Sequence, residues 1–538
     1  MSDTRAAEHP EQAGHPRRWI ILCGLVFSLL VVVLDNTVLN VALKTMSEPK
    51  PKGLGASQSD LEWAINSYTL IFAGLLFTWG LLADRLGRKR ILMLGMILFG
   101  ISSLLTAYAQ SPAELIAARA AMGFSGAAIM PSTLAIIANV FPRHEQPKAI
   151  GIWSGSVGLA IAIGPIVGGA LLNSFWWGSV FLINVPITAI AFVVMLILLP
   201  ESKNPNPGRL DPVGVLLEMA GLVIFVYGII HAGDTGDWGS VSVWGSIGGG
   251  LLLLVGFVLW ELHTDHPALD VRLFRNRSFS AAVISVALTF FAMMGGMFFF
   301  SFYLQSVRGY TPLKSGVFML PFAVAMVVFA PLSSNMVKRF GPRTVAVSGL
   351  IAIAIAMACY QFVTQNSSMW IYLAIAFFQG AAMANVMPPA TTTVMSSLPR
   401  QIAGIGSSVN NTVRQLGGAL GVAVLGTVLT TAYRDRMQPL VDSVPNSHLT
   451  PAESHYVSGS IEATQQAVGI AESQGNTHAA ALIQPSDEAF VHAMHITTLT
   501  GSAIMVFAAI VVALWMPRKI SQPGGPVDAA ARAESVAA

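Results

Sequence analysis

The chain has 538 residues, 54% of them hydrophobic and only 11% charged. A water-soluble domain carries roughly a quarter charged residues, so a single aqueous core could not hide this much apolar surface and the composition requires lipid as solvent. The formal net charge of +3 says nothing about nucleic acid, because the basic residues sit between apolar runs and read as topology signals.

The first apolar run starts at Trp19, behind a polar stretch ending in Arg17 and Arg18. It is too long for the core of a cleaved signal and is expected to stay as a span. A membrane helix needs about 20 apolar residues. Fourteen segments qualify: Trp19–Leu43, Trp63–Ala83, Ile91–Gln110, Ala113–Ala138, Ala149–Leu172, Val180–Pro200, Pro212–Ile230, Val243–Trp260, Phe279–Gln305, Ser315–Ser334, Val345–Val363, Trp370–Thr392, Ile402–Tyr433 and Ala489–Met516. Their length favours helices over barrel strands, which need about 10 residues each. The expected class is therefore an all-α integral membrane protein with the lipid bilayer as its main partner. Most of the 30 Lys and Arg residues fall in alternate connections beginning with the amino-terminal tail, which places both termini in the cytoplasm. The 2 cysteines, Cys23 and Cys359, lie in distant spans and are expected to be apolar packing residues rather than a disulfide.

Taken in order, the first span contains LDNTVLNVAL, Leu34 to Leu43. Asp35 lies roughly 12 Å from the outer end of this helix, where a bare carboxylate is costly, so it should be neutral, paired or wet. Asn36, Thr37 and Asn40 add polar groups nearby and suggest a cavity. Span 2 leads into GLLADRLGRKR, Gly80 to Arg90. Gly80 and Gly87 allow close packing and a turn. Asp84, set among Arg85, Arg88, Lys89 and Arg90, can accept from a neighbouring helix start or pair with a nearby Arg, acting as a conformational latch. In span 4, Arg119 lies roughly 9 Å from the outer end, a depth similar to that of Asp35. Similar depth does not establish contact. An Arg at this place either tunes the affinity of Asp35 for a proton or is structural.

Span 5 carries GPIVGG, Gly164 to Gly169, in which small residues permit close helix approach and Pro165 bends the span. Glu218 in span 7 is a second buried acid, either a second proton site, a partner for a cationic compound, or a private contact of spans 7 and 8. The run Phe290 to Gln305 mixes Met and aromatic side chains. Most of it is expected to face lipid, with Tyr303 and Gln305 in a cavity. Arg414 in span 13 either pairs with a carboxylate or faces the cavity. A degraded echo of the Gly80–Arg90 loop, VKRFGPR at Val337 to Arg343, follows span 10. It implies a repeated bundle with spans 7 and 8 inserted. The longest polar segment, 434–488, is expected outside. Ser486 is the expected cap of the last helix, and the tail after Lys519 reads as disordered. No nucleotide-binding G-x4-G-K-[ST] loop and no His or Cys cluster with metal spacing is found, so neither a cofactor nor a metal is expected.

The loop Gly80–Arg90 resembles the signature loop of the major facilitator superfamily at nearly every position. The span 5 element resembles the antiporter element of that superfamily. Gly151, Gly164, Pro165, Gly168 and Gly169 match, and Ala160 stands where a second glycine is usual. LEWAINSY (Leu61–Tyr68), FLINVP (Phe181–Pro186), FYLQSVRGYTPLKSG (Phe302–Gly316) and NNTVRQLGGALG (Asn410–Gly421) look like the fourteen-span drug:proton antiporters, and among these the actinomycete exporters that protect a producer from its own polyketide antibiotic. The resemblance implies two six-helix bundles plus a two-helix insert. The corresponding parts are a cytoplasmic tail 1–18, a first bundle 19–200, an insert 201–265, spans 9–13 at 266–433, an extracellular loop 434–488, span 14 at 489–517 and a tail 518–538. It further implies export of hydrophobic, multi-ring compounds in exchange for protons across the cell membrane, without enzymatic activity. From the residues themselves, Asp35, Arg119 and Glu218 are the candidates to serve the proton, with Glu218 standing where the family pattern usually has an apolar residue, and Asn36, Asn40, Tyr303, Gln305, Asn410 and Arg414 the candidates to meet the compound. A nutrient symporter and a membrane sensor that binds without transporting are the alternatives.

Overall fold

In a computed structural model the described residues are 15–517, except 143, 205–209, 265–266, 268, 398–402, 444–448 and 475–476. The tail 518–538 and nearly all of the tail 1–18 lie outside them. Among the described residues, fourteen helices are long and apolar enough to cross a membrane. Spans 1 to 6 are Arg18–Ser47, Gln58–Leu86, Arg88–Ala107, Pro112–Val140, Lys148–Ser174 and Ser179–Leu198. Spans 7 and 8 are Pro212–Thr235 and Val241–His263. Spans 9 to 14 are Arg277–Val307, Pro312–Phe340, Pro342–Phe362, Met369–Ser396, Ser408–Asp442 and His478–Trp515.

Local sequence sets several of these boundaries. Ser57 and Asp60 form a reciprocal capping box at the start of span 2, and Ser111 caps span 4 ahead of Pro112, each satisfying amides that no helical carbonyl reaches. Gly87 (φ 119°) and Gly341 (φ 82°) each end one helix and begin the next. That positive φ is one a side chain resists, so the two loops are the same device used in both halves of the chain. Span 6 breaks at Ile183, between helices Ser179–Leu182 and Asn184–Leu198. Pro186 has no N–H to offer the Leu182 carbonyl.

Spans 1–6 and 9–14 form two six-helix bundles. Spans 7 and 8 pack on each other, with Gly221 against Leu254 and Gly250 against the Phe225 backbone. Leu222, Val226 and Ile229 of span 7 then join Leu70 of span 2 and Ala419 and Ala423 of span 13 in one apolar cluster. The insert thus fills one of the two seams between bundles. At the other seam, spans 5 and 10 touch backbone to backbone, where Gly169 meets Leu313 and Gly316 meets the Pro165 carbonyl.

The bundles are sealed at the end that carries the 434–488 segment, the loop end. Lys44 Nζ donates to the Gln305 carbonyl at 3.1 Å and Gln305 Nε2 donates to the Val41 carbonyl at 2.9 Å. Toward the opposite, basic end, positions Gly151, Gly155 and Gly158 of span 5 have open space with no neighbour within 4 Å.

The 434–488 segment carries the short helices its composition allows where it is described. The last turns of span 13 run on to Asp442, and helices Pro451–Val457 and Ile461–Ser473 follow. Some expectations need correction. The last helix begins at Ile483, so Ser486 is not its cap. Ser486 is buried inside the helix, with its hydroxyl on Tyr433 Oη at 2.8 Å. The Phe290–Gln305 run does not face lipid for the most part: Phe291, Met293, Phe298, Phe299, Phe300 and Phe302 are buried. Cys23 and Cys359 are free thiols, but Cys23 is exposed on the surface of span 1 and not packed in a core as expected.

The helix Ile461–Ser473 is a lid on the loop end. Gln466 Nε2 donates to the Ser47 carbonyl at 2.7 Å, and buried Glu462 accepts from Ser306 Oγ at 2.7 Å. Burial pushes the Glu462 carboxyl up from about 4.5 to about 7, against the pull of its hydrogen bonds and of Lys44. The docked lid therefore favours the neutral acid. Its docking is strongest below the ordinary carboxyl range and weakens as pH rises through about 7, by roughly 3 kcal/mol in all. Hydrogen exchange of residues 461–473 should accelerate between pH 5 and pH 8 more than intrinsic exchange predicts, and Glu462→Gln should remove the excess.

Candidate transport site

Asp35 and Arg119 are brought together. They form an ion pair in which both side chains are fully buried, at the centre of the first bundle. The second carboxylate oxygen of Asp35 accepts from Asn184 Nδ2 at 3.0 Å, and the same amide lies 3.2 Å from Ser103 Oγ. Arg119 Nε donates to the Ala64 carbonyl of span 2 at 3.1 Å. The guanidinium stands 4.4 Å from the Tyr68 ring centroid, a cation–π contact. One ionic cluster thus ties spans 1, 2, 4 and 6. The break in span 6 places Asn184 at the start of its second helix. Asn184 and Tyr68 were not singled out from sequence as members of this site. The stretches FLINVP and LEWAINSY that contain them were the available signal.

The opposite face of span 1 lines a cavity of about 60 Å³ between the bundles, bordered by Asn36, Thr37, Asn40, Phe72, Phe290, Met293, Met294, Arg414 and Gln415. Asn36, Asn40 and Arg414 thus border this cavity. Asp35 is not among the lining residues, so the ion pair and the cavity occupy two faces of one helix. Successive helical positions are about 100° apart, which is how Asp35 and Asn36 diverge.

Tyr303 and Gln305, expected in the cavity, lie elsewhere. The end of span 9 is a π-helical turn over Tyr303–Val307, whose extra residue per turn re-aims the side chains. Tyr303 Oη donates to the Thr364 carbonyl at 2.9 Å, and Gln305 bridges to span 1 at the sealed end. Asn410 sits one turn before Arg414, outside the cavity lining, with its amide oxygen unpartnered. Glu218 belongs to neither centre. It borders a separate apolar cavity of about 150 Å³ with Phe77, Leu254, Phe257 and the Val409–Thr412 face of span 13.

In the basic loop, Asp84 pairs with Arg88 at 2.9 Å, and Arg88 Nη1 donates to the Ala135 carbonyl of span 4 at 3.3 Å. Gly87 presses on Glu201, which also accepts from the Lys89 amide at 3.1 Å. These contacts of Gly80–Arg90 with span 4 and with the segment after span 6 stay within the first half of the chain. In the GPIVGG element, Gly164 abuts Thr37 and Gly168 abuts Val38 of span 1. Gly169 reaches across to span 10, and Gly151 lies at the open end.

Comparison with known proteins agrees with this architecture. Over 94% of its length, and 93% of the relative's, the chain is 31% identical to the tetracenomycin C resistance and export protein of Streptomyces glaucescens. It is 33% identical to the multidrug efflux pump LfrA of Mycolicibacterium smegmatis, covering 92% of the chain and 96% of LfrA. It is 31% identical to the methyl viologen resistance protein SmvA of Salmonella typhimurium, covering 92% and 97%. A bacterial homolog of the human lysosomal transporter Spinster, solved inward-facing and occupied, shares the fold with a TM-score of 0.63 at 18% identity, covering 93% of this chain and 97% of that one. The profile of the Major Facilitator Superfamily matches residues 25–422. With two bundles, an interbundle cavity and a profile match across most of the spans, this chain belongs to the major facilitator superfamily of membrane transporters.

Proposed function

We propose that the chain is a proton-coupled antiporter that exports hydrophobic, multi-ring drugs or antibiotics across the cell membrane, with both termini in the cytoplasm. The observation that carries the coupling is the two-faced first span, with a buried ion pair behind and a mixed polar and aromatic cavity in front. The relatives named for multidrug efflux and antibiotic export support the direction and the class of cargo. The distribution of Lys and Arg supports the orientation.

In this reading a proton from outside adds to an oxygen of Asp35 and neutralises it. Arg119 is then a buried cation without its counter-charge, a condition that costs about 3–5 kcal/mol when one partner of a buried pair is lost. The strain falls on the contacts of Arg119 with spans 1, 2 and 6. Because span 1 also walls the cavity, relief of that strain changes which end of the cavity opens. Loss of the proton to the cytoplasm restores the pair and resets the cycle. The coupling equals the difference in proton affinity between the two states. Asp84 and Arg88 act as the latch at the basic end, and the small residues of span 5 set how closely the halves meet.

The direction of flux is testable. Inverted membrane vesicles containing the protein should accumulate a fluorescent apolar dye on acidification of the lumen and release it when the gradient is collapsed. Dye uptake indifferent to the gradient would remove the proton from the mechanism.

A further inference from the structure

We propose that the cavity is built for an aromatic compound bearing a negative charge, a carboxylate, sulfonate or ionised phenol, with Arg414 as its counter-ion. This specifies the cargo class of the export reading above and rests on it for transport, though not for binding. The apolar stretches of spans 9 to 14 contain no Asp or Glu. Arg414 is the one charge within them, and it lines the cavity between the bundles. Among the described residues no carboxylate forms an ion pair with it. Asp35 is turned to the other face of span 1 and held by Arg119. Glu218 lies beyond the opposite face of span 13.

An ionisable side chain kept inside a membrane protein without a partner is costly, and such groups mark substrate pathways. The chemistry of this one is specific. A guanidinium is always charged, presents a planar fork to carboxylate-like oxygens, and stacks on rings. Arg414 stands 5.3 Å from the Phe290 ring centroid, so the charge lies beside an aromatic wall continued by Met293 and Met294. A flat anion admitted as this cavity widens beyond its present volume of about 60 Å³ would meet apolar contact along its rings and the counter-charge at its edge. With no acid lining the cavity, a cationic cargo of the same shape would meet only like charge.

The test uses three probes on one ring system: pyrenecarboxylate, pyrenemethylammonium and neutral pyrenemethanol. Binding to the full chain is measured in nanodiscs of zwitterionic lipid, with empty nanodiscs subtracted. The wild-type protein should hold the anion about tenfold or more tighter than the cation. Arg414→Gln should bring that ratio close to one, with pyrenemethanol binding falling less than binding of the anion, and Arg414→Lys should keep most of the preference. A wild-type ratio near or below one overturns the proposal whatever the variants do, and so does a ratio unchanged in Arg414→Gln. Gradient-driven export of pyrenemethanol, measured separately, reports on the export reading. Its absence would defeat that reading and leave the charge preference standing.

Discussion

Replacing Asp35 with Asn should lower gradient-driven export by at least about tenfold while leaving cargo affinity within a fewfold of wild type. The split follows from geometry. Asp35 lies behind span 1, bound to Arg119 and Asn184, and the cavity lies in front. An amide keeps the size and can still accept from Asn184, but it cannot gain and lose a proton, so the two states no longer differ in proton affinity. Asn is the informative choice because it mimics the protonated acid, leaving Arg119 without its counter-charge as protonation does, whereas Arg119→Ala would also remove the contacts of the guanidinium with Ala64 and Tyr68. Undiminished proton-driven export by Asp35→Asn, measured in inverted vesicles against equilibrium binding of the same dye, would move the coupling site elsewhere.

The second large effect is expected at the seam between spans 5 and 10. A Cβ at Gly316 would lie on top of the Pro165 carbonyl. Both are backbone-determined, so no side-chain rotation relieves the clash. Gly316→Val should therefore destabilise the arrangement sealed at the loop end by about 1–3 kcal/mol, enough to shift a two-state population about 5- to 150-fold. Export should fall because one half of the cycle becomes inaccessible. Spin labels replacing Lys52 and Lys314, both exposed near the loop end, should show a longer distance population in the valine variant. An unchanged distance distribution would mean that this contact does not hold that end closed.

Much of this was legible in the sequence because lipid makes the code simple. Fourteen apolar runs give fourteen helices, and the depth of a charged residue follows from helical rise. That is why Asp35 and Arg119 could be set at the same level before their contact was known. Rise gives depth, however, and not which helices are neighbours. The third partner, Asn184, comes from span 6 and depends on a break at Ile183 that Pro186 accounts for only once the helix is seen. The placement of Tyr303 and Gln305 failed for a related reason. A regular helix aims them inward, and the π-turn at Tyr303–Val307 turns them into joints. The aromatic run before them reads like a lipid face because a helix buried inside a bundle is apolar all round as well. Arg414 was ambiguous in the sequence, since periodicity does not say which helix it faces.

The insert gives the molecule an asymmetry that a pair of similar bundles would lack. Span 7 stands in the gap between spans 2 and 13 with interlocked aliphatic side chains. The opposite seam, between spans 5 and 10, has no such third helix and closes by backbone contact at Gly169 and Gly316. The two flanks therefore differ in what must part when the halves tilt: a bare backbone contact on one, and a layer of aliphatic side chains shared by three helices on the other.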